Sequence, residues 1–223
     1  MMLKDIQAII FDVDGTLLDS MWIWTEIDDW FLKKYNLTEP EGFHKGMEGM
    51  SYSETAQYFL DLFPSLTHTR EELENEWYEM ALELYEEKLC LKKGAYEFIK
   101  KMSEDGIKLG IATSNHRELA LAALRHNQID VFIDSVWTAG EVQAGKPNPA
   151  VYLRVAEDLK VEPKHCLVFE DVPNGILAGK NAGMKVCAVD DPFSRPLEEE
   201  KRTLADYYIR NYDEIREETY EVL

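Results

Sequence analysis

Apolar positions change their rhythm twice along this chain. Residues 6–11 (Ile-Gln-Ala-Ile-Ile-Phe) form a short β-branched run that stops at Asp12, the pattern of a buried parallel strand. From about Asp19 to Leu89 the spacing is helical almost throughout. Ser51-Tyr52-Ser53-Glu54 and Thr69-Arg70-Glu71-Glu72 are capping-box sequences ahead of periodic apolar runs. From about Leu91 the two rhythms alternate. Helices are expected over 94–104, 116–127, 149–159 and 174–182, and strands over 108–113, 131–138, 167–170 and 185–189. Such alternation predicts a parallel sheet with helices on both faces. The expected fold is α/β, a doubly wound (Rossmann-like) parallel sheet core with an α-helical domain inserted after the first strand. The core takes residues 1–17 and 89–223, and the helical insert takes 18–88.

Charge narrows the partners. Asp and Glu number 43 against 24 Lys and Arg, a net charge of −19, so a nucleic-acid partner, which needs a basic face, is not expected. An anionic substrate would need local positive charge from a metal or a placed lysine. Glu74, Glu76, Glu79, Glu83 and Glu86 read as a solvated helix face, and Glu198 to Glu200 as a surface turn. No apolar run approaches the roughly 18 to 20 residues of a membrane span. The first apolar segment runs straight into Asp12 and Asp14, which are the wrong flanks for a signal peptide. Cys90, Cys166 and Cys187 stand far apart, as suits a reduced compartment. A cytoplasmic location is expected, without a membrane and with no protein partner inferred.

Open parallel sheets bind ligands at the C-terminal ends of their strands. The first strand ends in Asp12-Val13-Asp14-Gly15-Thr16, the second in Thr113-Ser114-Asn115. The third leads to Gly145-Lys146-Pro147, and the fourth ends in Glu170-Asp171. Clustered carboxylates repel unless a cation sits among them, and oxygen ligands with a phosphate are what Mg2+ prefers. Lys146 offers a positive charge and Thr113 a hydroxyl to phosphate oxygens. Two aspartates two residues apart can divide attack on phosphorus from proton transfer. Taken singly these residues have plainer readings: Asp171 as a turn or cap, Lys146 as a surface lysine, and Thr113, Ser114 and Asn115 as caps. Their joint placement on one rim is what points to a site. A calcium loop opening at Asp12 fails, because its sixth and twelfth positions hold Leu17 and Ile23. A P-loop at Gly140 to Lys146 fails because Pro147 follows the lysine.

These four motifs, in this order, resemble the haloacid dehalogenase (HAD-like) superfamily over nearly the whole chain. The resemblance implies a phosphoric monoester hydrolase. Asp12 would be the nucleophile that forms an aspartyl-phosphate. Asp14 would be general acid, then general base. Asp12, the Asp14 backbone carbonyl, Asp171 and Glu170 would hold Mg2+, while Thr113 and Lys146 would hold phosphate. An aspartate at position 14 favours a phosphatase or phosphomutase over a dehalogenase or a transport ATPase. The helical insert resembles the cap of the subgroup that includes β-phosphoglucomutase and sugar-phosphate phosphatases.

Substrate choice should lie in that cap. At most one of Trp22 and Trp24 should face the site, Trp30 should be packed, and Lys45 beside Gly46 is a candidate substrate ligand, as are Ser114 and Asn115. β-Phosphoglucomutases carry an arginine early in the helix after this glycine stretch, and Gly49-Met50-Ser51-Tyr52-Ser53-Glu54 has none. The expected function is hydrolysis of a small phosphorylated metabolite, a sugar or polyol phosphate. The alternatives are a β-phosphoglucomutase-like mutase and a non-catalytic phosphometabolite-binding protein.

Overall fold

The computed structural model describes residues 2–47 and 50–223, the side chains of Lys45, Glu83 and Glu87 excepted. After β1 (Ala8–Phe11) come α1 (Met21–Lys34), α2 (Phe43–Met47), α3 (Tyr52–Leu62) and α4 (Arg70–Glu87). The sheet pattern resumes with α5 (Ala95–Glu104), β2 (Lys108–Thr113), α6 (Arg117–His126), β3 (Ser135–Thr138), α7 (Ala150–Leu159), β4 (Cys166–Glu170), α8 (Pro173–Asn181) and β5 (Lys185–Val189). The chain ends in α9 (Glu198–Leu204), β6 (Tyr207–Ile209), α10 (Asp213–Arg216) and β7 (Glu221–Val222).

One sheet runs in the order β3-β2-β1-β4-β5-β6-β7, parallel except for β7. Successive strand residues point to opposite faces, so β1 feeds two cores. Ile9 and Phe11 join Phe98, Ile99 and Leu119 on one side. Ala8 and Ile10 join Val151, Tyr152 and Ile176 on the other. A strand buried on both faces must be apolar at every position, which is why residues 8–11 show no alternation. The chain builds outward from β1 in one direction through β2 and β3, then in the other from β4. The gap between β1 and β4 is therefore the switch point, and their C-terminal ends open into one crevice.

The first four helices after β1, α1 to α4, form a block with an aromatic centre. Trp77 packs edge-on to Phe59 at 4.7 Å, and Phe43 meets Phe59 at 5.0 Å. Both capping boxes form as the sequence implies, Ser51 with Glu54 and Thr69 with Glu72. The chain leaves and re-enters the sheet side by side: Lys92 N donates to Leu17 O at 2.7 Å, and Asp19 N to Cys90 O at 3.1 Å. α4 packs along α6, which seats the block over the rim of the sheet.

Three expectations need correction. Residues 131–134 stay out of the third strand. Asp130–Phe132 form a 3-10 turn with Val131 exposed, and pairing begins at Ser135 opposite Gly110. Glu198 to Glu200 are not a turn but the first turn of α9, where acids suit the helix N-terminus. Trp30 is not packed inside. It is 45% exposed, with Lys34 Nζ 4.7 Å over its ring. Among the described residues, no helix is long and apolar enough to cross a membrane.

Candidate active site

All four sequence motifs meet at the ends of the strands. Asp12 follows β1, Thr113 ends β2, Lys146 lies in the loop after β3, and Glu170 and Asp171 close β4. Lys146 is buried and reaches across, its Nζ 2.6 Å from Asp12 Oδ1 and 2.5 Å from Glu170 Oε1. Burial alone would lower the Lys146 pKa. The two carboxylates outweigh it and hold the ammonium above its ordinary value.

Oxygens of Asp12, Glu170 and Asp171 lie within 4.8 Å of one another, all three residues buried. One ammonium cannot balance three carboxylates. Burial, opposed by Lys146 and reinforced by Glu170, pushes Asp12 well above the usual carboxylate range. Burial, with Glu170 and Asp191 nearby, pushes Asp171 to about 7. Asp171 Oδ1 accepts from the Thr16 hydroxyl at 2.9 Å, whereas its Oδ2 is buried without a donor. An orphaned carboxylate oxygen beside a second acid is what a hard divalent cation would satisfy. Oxygen-only donors fit magnesium.

Glu170 is placed differently from its two neighbours. Its Oε1 accepts from Lys146 and, at 2.7 Å, from Tyr152. Its Oε2 accepts from the backbone N–H of Asp171 at 3.0 Å and of Val172 at 3.4 Å. Four donors already occupy it, so Asp12 and Asp171 are the freer ligands. Two glycines make this close packing possible. Gly15 has φ +74°, and a Cβ there would collide with Asp171 Oδ2; a Cβ on Gly175 would collide with the Glu170 carboxylate.

The Asp14 carboxylate stands outside the acidic trio. Its Oδ1 accepts from Ser20 Oγ at 2.6 Å and from the Tyr85 hydroxyl, and its Oδ2 from Asn115 Nδ2 at 2.7 Å. Asn115, expected to bind substrate, is thereby occupied. Its amide also donates to Tyr85 at 2.8 Å, and its carbonyl accepts from His116 N at 2.6 Å. Both of its amide protons are thus turned to Asp14 and Tyr85. Thr113 Oγ1 accepts from Asn115 N at 3.1 Å and keeps its own proton to donate. Ser114 lines the same cavity, and its carbonyl accepts from Tyr52 N of the helical block at 3.0 Å.

The cavity over these groups measures about 540 Å³ and is walled by both parts of the chain. The helical block contributes Trp24, Asp28, His44 and Met50; the loop after β5 contributes Phe193. Trp24 lines it while Trp22 is 40% exposed, as their spacing implied. The Lys45 side chain and Gly49 lie outside the described residues.

The model of the haloacid dehalogenase-like hydrolase family matches residues 9–189. The chain belongs to this family. It is 35% identical to (DL)-glycerol-3-phosphatase 1, mitochondrial, of Arabidopsis thaliana, over 83% of this chain and 64% of that protein. It thus spans under two thirds of that relative's length. It is 29% identical to a phosphorylated carbohydrates phosphatase of Thermotoga maritima, over 80% of this chain and 82% of the relative. The fold matches the β-phosphoglucomutase of Clostridium difficile with TM-score 0.79 at 23% identity, covering 96% of this chain and 97% of that one. The chain is a hydrolase with the doubly wound fold, and both relatives are named phosphatases.

Proposed function

We propose that this hydrolase is a Mg2+-dependent phosphatase of a small phosphomonoester, a sugar or polyol phosphate, acting through an aspartyl-phosphate on Asp12. The observation that carries this reading is the buried Lys146–Asp12 contact at 2.6 Å beside the orphaned Asp171 oxygen. The names of the two phosphatase relatives support the substrate class.

In this reading Lys146 and Thr113 hold the phosphate oxygens, and the Lys146 contact fixes the Asp12 carboxylate for in-line attack. Asp12 and Asp171 would hold magnesium with the Asp14 carbonyl, and Glu170 stands behind them as the anchor of Lys146. Bound there, the metal supplies positive charge to the transferring phosphoryl group. The Asp12–phosphorus bond forms as the bond to the leaving oxygen breaks. Asp14, protonated and turned from its three donors, gives the leaving oxygen its proton. Water then attacks phosphorus, Asp14 takes that proton back, and phosphate and free Asp12 result. Residues 18–88 act as the cap that keeps bulk water out. The three free cysteines fit a cytoplasmic setting.

A mutase must also grip a second phosphate. Among the described residues lining the cavity, Lys146 is the only lysine and arginine is absent, which favours simple hydrolysis. The test is phosphate release from sugar, polyol and nucleoside monophosphates with magnesium, with a chelator, and with Asp12→Asn. Magnesium-dependent release that vanishes in the variant is expected. Release that persists in Asp12→Asn would remove the aspartyl-phosphate route.

A further inference from the structure

α1 buries Ile23, Ile27 and Phe31 within the helical block, and next to Ile27 the helix turns Asp28 toward the cavity with Trp24 and Thr25. The Asp28 side chain is only 14% exposed. Among the described residues, its nearest basic group is His44 Nδ1, at 3.6 Å beyond hydrogen-bond reach. Burial, with Asp29 and Glu39 nearby, raises its pKa to about 7. A buried acid with no described hydrogen-bond donor weakens the fold, so its place in the wall suits a ligand group.

The rest of the wall shows what group that can be. The described acids around the cavity are Asp12, Asp14, Asp28, Glu170 and Asp171, and the one described lysine, Lys146, is already paired with two of them. His44 meets Phe193 of the core edge-on at 5.9 Å, so the two parts of the chain touch at the cavity wall. A leaving group bound between them meets mostly apolar walls, with hydroxyls such as Thr25 and Ser194, and Asp28 is the carboxylate that the helical block adds. An anionic leaving group would find no described lysine or arginine besides the already paired Lys146, and would face a carboxylate.

We infer that Asp28 reads the leaving group by accepting a hydrogen bond from its hydroxyl or ammonium, and that the cavity selects phosphomonoesters whose leaving group carries no negative charge. This rests on the phosphatase reading above. Asp28 is a specificity residue at the far end of the substrate and takes no part in the proton transfers of the reaction.

The experiment compares kcat/KM for glycerol phosphate, phosphoethanolamine, 3-phosphoglycerate and phosphoglycolate, with p-nitrophenyl phosphate as a control for the class. The two non-anionic esters should exceed the two carboxylates by about 10- to 100-fold, the range of one hydrogen bond to a charged group. The faster of the two tells hydroxyl from ammonium. Asp28→Asn should lower the ratio of phosphoethanolamine to phosphoglycolate, and Asp28→Lys should reverse it. If either variant fails to fold, the order of wild-type substrates decides. Turnover of the control with the carboxylates equal or preferred overturns this inference alone. So do ratios that stay fixed in folded variants. No turnover of any ester, the control included, overturns the phosphatase reading and this one with it.

Discussion

Tyr85, on the last turn of α4, donates its hydroxyl to Asp14 Oδ1, so a residue of the helical block holds the second aspartate of the Asp12-Val13-Asp14 motif. Tyr85 is fully buried, and burial first, then the Asp14 charge, raises its pKa well above the ordinary phenol value. It therefore stays a donor at any working pH. Tyr85→Phe removes this donor and also the acceptor of the Asn115 amide. Stability should fall by roughly 1–3 kcal/mol in urea denaturation. If Asp14 moves protons, phosphate release should show kcat falling more than KM changes. Reduced stability with unchanged kcat would mean that Tyr85 only packs.

Gly15 stands where both backbone and space exclude a side chain. Its φ of +74° is left-handed, and a Cβ would strike Asp171 Oδ2. Gly15→Ala should cost about 1–2 kcal/mol from backbone conformation alone. Displacing Asp171 should further weaken metal binding. Magnesium should raise the melting temperature of the wild type by mass action, and this shift should shrink in Gly15→Ala and vanish in Asp171→Asn. An equal magnesium shift in all three proteins would place the metal elsewhere.

Lys146 is the counter-charge of the whole acidic group. Lys146→Met leaves Asp12, Glu170 and Asp171 buried without it, and removal of one partner from a buried ion pair costs about 3–5 kcal/mol. This loss should be largest in a chelator and smaller with magnesium, which would supply some of the missing charge. Denaturation midpoints measured with and without magnesium check it. A metal-independent loss would separate Lys146 from the metal site.

The convergence of the motifs on one rim was legible in the sequence because each motif follows an apolar run that can only be a buried strand, and strand ends in an open sheet converge. Asp12 after Ile9-Ile10-Phe11 and Glu170-Asp171 after Leu167-Val168-Phe169 are of this kind. Capping boxes at Ser51 and Thr69 were equally readable, since a cap is a local device. What was missed depends on contacts far along the chain. Tyr85 sits among glutamates that read as a solvated face, yet α4 turns it onto Asp14. Lys201 follows three glutamates that read as a surface turn, yet it is buried, donating to Val189 O at 3.1 Å and Ser194 Oγ at 2.9 Å. β6 has three residues, too few to show a period. Asp28 and Asp29 look alike in sequence, and only the seating of α1 over the rim sends one to the cavity.

That seating gives stability a dependence on pH. Asp28 ionises near pH 7 in the folded protein instead of near 3.8, so the folded state holds this proton more tightly than the unfolded chain does. The stabilising contribution is complete below about pH 4 and is lost as pH rises to 7, by up to about 4 kcal/mol. Among the described residues, Asp29 on its own helix, and Glu39 and His44 from the segment that follows, are the charged or titratable groups near it. Asp28→Asn cannot ionise. It should match the wild type at pH 4 and exceed it in stability above pH 7, as read from urea denaturation across that range. A difference that does not change with pH would show that Asp28 keeps an ordinary acidity. A variant that is more stable at neutral pH but has lost its preference among leaving groups would mark a residue kept for the ligand at the expense of the fold.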